Sequence, residues 1–107
     1  MTSPAPTVLV FSYGSLQEER VQIANFGRVL SGRADALPGY VTRPLGRHAD
    51  AVPSAEPGAA VSGTVFAITE AELALADRYE AADDYRRIAV TLRSGARAWV
   101  YVHDPAI

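Results

Sequence analysis

Two stretches of the chain hold residue types at spacings that chemistry can use. The first is Tyr13-Gly14-Ser15-Leu16, which follows the apolar run Val8-Leu9-Val10-Phe11. Such a run reads as a strand buried on both faces. Ser15, with Glu18 three residues on, has the spacing of a capping box at a helix start. A strand-to-helix turn aims unpaired backbone N–H groups at one point, and the helix dipole adds partial positive charge there. The turn is thus a receptor for a carboxylate or an oxyanion, and Gly14 lets a ligand approach the backbone with no Cβ in the way. The same residues also fit an ordinary turn in which Ser15 only caps.

The second stretch ends at Glu80. Thr69-Glu70-Ala71-Glu72 is another capping box, opening a helix of about three turns through Leu73, Leu75, Ala76 and Tyr79 to Glu80, with Asp83-Asp84 ending it. Residues 73, 76 and 80 share one face. Leu73 and Ala76 mark that face as apolar, so Glu80 points toward the core from the last turn. Desolvation and the negative end of the dipole both disfavour a charged Glu80 and raise its pKa, as a general acid/base working near neutral pH requires. The competing reading is a frayed, exposed Glu80 paired with Arg86 or Arg87. Glu70 and Glu72 sit in the first turn, where the dipole alone accounts for them.

Other chemistries are closed by composition. The chain has no Cys, which excludes disulfides, thiolate metal sites and cysteine nucleophiles. Its ten basic residues are all Arg, so no lysine serves a Schiff base or a P-loop. Tyr13-Gly14-Ser15-Leu16-Gln17 lacks the second glycine of a nucleophile elbow. The two histidines, His48 and His103, have neither triad context nor close-spaced metal partners, and Asp50 near His48 does not make a metal site. No metal and no cofactor is expected.

The elements that must position these residues fit one domain of 107 residues, 49% apolar and 21% charged. Residues 1–7, with Pro4 and Pro6, read as a flexible tail, and 8–107 as the domain. Val21, Ala24 and Phe26 give the first helix an apolar stripe, and Gly27 is its C-cap. Val29-Leu30 and Ala34–Leu37 are candidate short strands, Pro38-Gly39 a turn, and Tyr40-Val41-Thr42 a return strand. Leu45–Gly58, with two prolines, reads as irregular. Val61–Ile68 is β-rich, with Gly63 marking a bulge or a close backbone approach. Ile88, Val90 and Leu92 alternate with polar neighbours, Ser94-Gly95 is a hairpin turn, and Ala98, Val100 and Val102 alternate on the way back. Trp99 and Tyr101 read as sheet packing rather than a base-stacking platform. About five or six strands joined mostly by hairpins, with two helices at separate points, indicate an α+β fold with a curled, mostly antiparallel sheet.

Twelve acidic residues against ten basic ones give a net charge of −2, so no general field attracts nucleic acid or an anionic membrane. No apolar run has the length of a transmembrane span, and Met1–Thr7 lacks the features of a signal peptide. A cytoplasmic protein, monomeric or a small homo-oligomer, acting on a small molecule is expected.

With these residues in view, the chain resembles the gamma-glutamylcyclotransferase-like family, in particular its short branch that includes gamma-glutamylamine cyclotransferases. Phe11-Ser12-Tyr13-Gly14-Ser15-Leu16 resembles the family's Tyr-Gly-Ser/Thr-Leu signature. Leu37-Pro38-Gly39-Tyr40, Val61–Phe66, Leu75–Glu80, Tyr85-Arg86-Arg87 and Ala98–Val102 follow in order, so the likeness spans residues 8–102. It departs in one extra residue between Leu75 and Asp77, and in the Gln17–Gln22 segment, where many relatives carry a glycine. The resemblance implies a small mixed, barrel-like sheet with flanking helices. It implies that Tyr13, Gly14, Ser15 and Leu16 bind the α-amino-acid end of a γ-glutamyl group, with Glu80 as catalytic acid/base and Tyr101 facing the pocket. The implied reaction closes the γ-glutamyl group to 5-oxoproline and releases an amine or amino acid. A non-catalytic ligand-binding or interaction module of the same fold is the alternative.

Overall fold

The computed structural model describes residues 5–104. The first four residues of the expected tail and the last three of the domain lie outside the described residues. The apolar run forms β1 (Val8–Ser12), followed by a one-turn 3-10 helix (Ser15–Gln17), α1 (Glu19–Phe26), β2 (Gly32–Pro38), β3 (Tyr40–Leu45), β4 (His48–Pro53), β5 (Ala60–Ile68), α2 (Glu70–Ala81), β6 (Tyr85–Thr91) and β7 (Arg97–His103).

Five strands form one sheet in the order β2-β5-β1-β7-β6, and β3 pairs with β4 in a separate two-stranded sheet. β1 lies at the centre, antiparallel to β5 and parallel to β7. The strand period of two splits its side chains between two cores. Val8 and Val10 pack with Val21, Leu30, Leu73 and Ala76 under the helices. Phe11 packs on the other face with Leu37, Ala51, Val65 and Val100. The sheet edges meet at one end, where the Arg93 N–H donates to the Ala36 carbonyl at 2.8 Å and the Ser94 hydroxyl donates to the Asp35 carboxylate. The result is the expected α+β architecture with a curled, mostly antiparallel sheet.

Gly63 makes the close approach its position suggested. A Cβ there would lie 2.3 Å from the Ser12 carbonyl oxygen and 2.7 Å from the Phe11 ring, so β5 and β1 come together only through a glycine. The Thr69 capping box forms in full, with the Glu72 N–H donating to the Thr69 hydroxyl and the Thr69 N–H to the Glu72 carboxylate. Gly27 closes α1 at φ 72°.

Five expectations change. Ser15 and Glu18 form no capping box: Glu18 is extended and is itself the N-cap of α1, so a 3-10 turn separates the Tyr13–Leu16 loop from the helix proper. On α1 it is Gln22 that is buried and Ala24 exposed. The Gln22 amide donates to the Leu16 carbonyl at 2.9 Å and accepts from the Leu30 N–H at 2.8 Å, so residues 29–30 are held as a loop and not as a strand. Tyr40–Thr42 pairs with β4 rather than returning on β2, and residues 48–53 are strand, not irregular. Ala49 and Ala51 are too small to give β4 a visible hydrophobic period. Tertiary bonds hold it instead: the Tyr85 hydroxyl donates to the Ala49 carbonyl, the Ala51 N–H to the Tyr13 hydroxyl, and the His103 N–H to the Asp50 carboxylate. Among the described residues no helix is long and apolar enough to cross a membrane.

Candidate functional site

β1 ends in a loop whose 3-10 bonds run from the Gln17 N–H to the Gly14 carbonyl and from the Glu18 N–H to the Ser15 carbonyl. The first amides of any helical turn have no acceptor within it, which leaves the Ser15 and Leu16 N–H groups outside these bonds. A Cβ added at Gly14 would meet nothing within 4 Å, so the backbone there faces open space. The loop borders a cleft of about 1030 Å³ whose walls include Tyr13, Gly14, Ser15 and Leu16 on one side and Tyr79 and Glu80 of α2 on the other. The two candidate stretches, 64 residues apart, are joined directly: the Ser15 and Tyr79 hydroxyls lie 2.7 Å apart.

The four loop residues do not share one task. The Tyr13 hydroxyl is committed to the fold, donating to the Tyr101 carbonyl at 2.7 Å and accepting from the Ala51 N–H at 3.1 Å. Leu16 is 3% exposed and packs in the helix-side core, so only its backbone is free for a ligand. Gly14 and Ser15 remain as the surfaces a small molecule can touch with backbone and side chain.

Glu80 enters the cleft from the buried face of α2, above Leu73 and Ala76, as its spacing predicted. Among the described residues its carboxyl has no hydrogen-bonding or ion-pairing partner. Burial, with the Asp83 carboxylate adding repulsion, pushes its pKa up to about 7. The competing reading fails on both arginines. Arg86 pairs with Asp104, whereas Arg87 binds Asp77 at 2.9 Å and stacks over the Trp99 ring at 4.2 Å. Asp77, one helical turn before Glu80, also accepts from the Tyr101 hydroxyl at 2.7 Å. Tyr101 does face the cleft. Burial raises the pKa of the Tyr13, Tyr85 and Tyr101 phenols, so they stay protonated donors at neutral pH.

Sequence reasoning passed over several cleft residues. Tyr79 was visible only as a helix position. Tyr85, Arg47 and His48 come from β6, the β3–β4 turn and the first position of β4, and only the tertiary fold brings them here. His48 lies 3.7 Å from the Asp83 carboxylate. Among the described residues no group of three His, Cys, Asp or Glu is placed to hold a metal ion.

Residues 10–106 match the family model described as gamma-glutamyl cyclotransferase, AIG2-like. No curated protein matches the chain. Among solved structures, the Arabidopsis thaliana protein At3g28950.1 is 28% identical with a TM-score of 0.79, over 99% of this chain and 70% of that one. A second Arabidopsis thaliana protein, At5g39720.1, is 26% identical with a TM-score of 0.77, over 98% and 74%. A structure titled gamma-glutamyl cyclotransferase shares the fold at 18% identity and a TM-score of 0.69, over 91% of this chain and 66% of that one.

Proposed function

We propose, for a chain that belongs to the gamma-glutamyl cyclotransferase, AIG2-like family, that it converts a small γ-glutamyl amine or peptide to 5-oxoproline and the free amine or amino acid. The observation that carries this reading is Glu80, a partnerless carboxyl with a pKa raised to about 7, facing the Gly14–Ser15 backbone across one cleft.

The reaction suits a site with one titrating group and no side-chain nucleophile. The substrate's α-amine attacks its own γ-carbonyl carbon, a five-membered lactam closes, and the bond to the leaving nitrogen breaks. Because the nucleophile is tethered to the electrophile, a large part of the barrier reduction comes from effective molarity. Protons are what remain to be moved. The α-ammonium sheds two protons as it becomes the lactam N–H; ionised Glu80 takes each in turn and passes it to the leaving nitrogen, which departs as an ammonium, so Glu80 ends the cycle as it began. The free amides of Ser15 and Leu16, with the Ser15 hydroxyl, receive the substrate's α-carboxylate and turn the α-amine toward Glu80. The Tyr13, Tyr85 and Tyr101 phenols stay neutral and do not compete for the proton, their hydrogens being given to the Tyr101 carbonyl, the Ala49 carbonyl and the Asp77 carboxylate.

The test is release of 5-oxoproline from a panel of γ-glutamyl amines and dipeptides. Glu80→Gln keeps the shape and loses the proton transfer, and should lower kcat by at least ~100-fold with little change in binding. Saturable binding with no turnover by wild type would replace the enzyme with a binding module.

A further inference from the structure

The turn between β3 and β4 and the start of β4 line the cleft through Arg47, His48 and Ala49. Three bonds along β4, from Tyr85 to Ala49, Ala51 to Tyr13, and His103 to Asp50, fix the hairpin to the main sheet. Its turn, with Gly46 at φ 59°, carries Arg47 to the cleft.

The charges around the cleft are paired unevenly. Arg20 binds Glu18 at 3.0 Å, and His48 faces Asp83. Arg47 is exposed, lines the cleft, and binds no carboxylate among the described residues. It is thus a cationic fork on a short, anchored turn, lining the same cleft as the Ser15 and Leu16 amides that can take a first carboxylate. We propose that Arg47 is a specificity residue that binds a second carboxylate, on the leaving group, so that the chain prefers γ-glutamyl amino acids over γ-glutamyl amines without an acid. A guanidinium matches a carboxylate through two parallel N–H···O bonds, a geometry a neutral amide cannot reproduce.

This inference rests on the cyclotransferase reading for the orientation of the ligand, and the experiment separates the two. γ-Glutamylglycine and γ-glutamylglycinamide differ only in the charge of the distal group. Their binding is measured by calorimetry on the Glu80→Gln protein, with and without Arg47→Gln, and turnover of both by wild type is measured alongside. Arg47 makes no bond that the fold uses, and an unchanged urea midpoint confirms that its replacement leaves the fold intact. The acid should bind about fivefold or more tightly than the amide, the difference should shrink as salt is raised, and Arg47→Gln should abolish it while leaving the amide's affinity unchanged. Arg47→Lys should restore part of the preference. Equal affinities, a preference that survives Arg47→Gln, or equal weakening of both compounds would overturn the proposal; the last would place Arg47 on the γ-glutamyl α-carboxylate instead. No binding of either compound would overturn it as well. A preference of the expected kind without 5-oxoproline release would sink the cyclotransferase reading and leave the subsite standing.

Discussion

The hydroxyls of Ser15 and Tyr79 are 2.7 Å apart, which ties the loop after β1 to the helix residue immediately before Glu80. The bond spans the cleft's two functional walls and sets the distance between them. Either oxygen can donate, but the phenol is the stronger acid, so Tyr79 donating to Ser15 leaves the serine hydrogen free for a ligand oxygen.

Removing that bond should loosen the site more than the fold. Tyr79→Phe keeps the ring and deletes one hydrogen bond in a half-buried, solvent-reachable place, at a cost of about 1 kcal/mol or less in urea unfolding. The proposed activity should fall about tenfold in kcat/KM, mostly through KM, because the loop is no longer held at one distance from Glu80. A tenfold loss matched by an equally large loss of stability would make the bond merely structural.

Glu80 sets the pH dependence. It must be ionised to take the ammonium proton, so kcat/KM should rise with pH through about 7 and level off above it. The Asp83 carboxylate raises that pKa by repulsion. Asp83→Asn removes the charge, so the limb should move to lower pH. A limb that stays in place would locate the titration elsewhere, and one that moves up would contradict the sign of the interaction.

The same group should cost stability. Its ordinary pKa is 4.5 and its folded value about 7, so the folded protein holds this proton more tightly than the unfolded chain does. Its contribution to stability is therefore fully present below about 4.5 and is lost as pH rises toward 7. Discounted for partial exposure, the penalty above pH 7 is about 1–2 kcal/mol. Glu80→Gln should therefore raise the unfolding free energy by that amount at pH 8 and leave it unchanged at pH 4. Thermal or urea unfolding of both proteins at the two pH values measures it.

What could be read in the chain follows from how local each cause is. Glu80's place on a buried face is a matter of helical spacing, and the Thr69 box that starts the helix is a four-residue signal, so both were legible. The Ser15–Glu18 pair has the same spacing as a capping box, yet Ser15 is engaged by Tyr79, 64 positions later. β4 was hidden because alanines pack its buried face, and its bonds come from Tyr13, Tyr85 and His103, residues distant in sequence. Arg47 carries no local mark at all; only the anchoring of its hairpin brings it to the cleft.

Tyr13 gives the sharpest separation of fold from site. Its hydroxyl bridges the Ala51 N–H of β4 and the Tyr101 carbonyl of β7, so it joins the small hairpin to the main sheet. Tyr13→Phe leaves two largely buried backbone groups without their partner, which should cost about 2–3 kcal/mol and speed hydrogen exchange at the Ala51 amide. The ring stays in place and the hydroxyl's one hydrogen is already given to the Tyr101 carbonyl, leaving none for a ligand's carboxylate, so KM for a γ-glutamyl amine lacking a distal acid should change less than about threefold. Unaltered stability together with a KM raised tenfold would mean instead that the phenol leaves its backbone partners and binds the substrate itself.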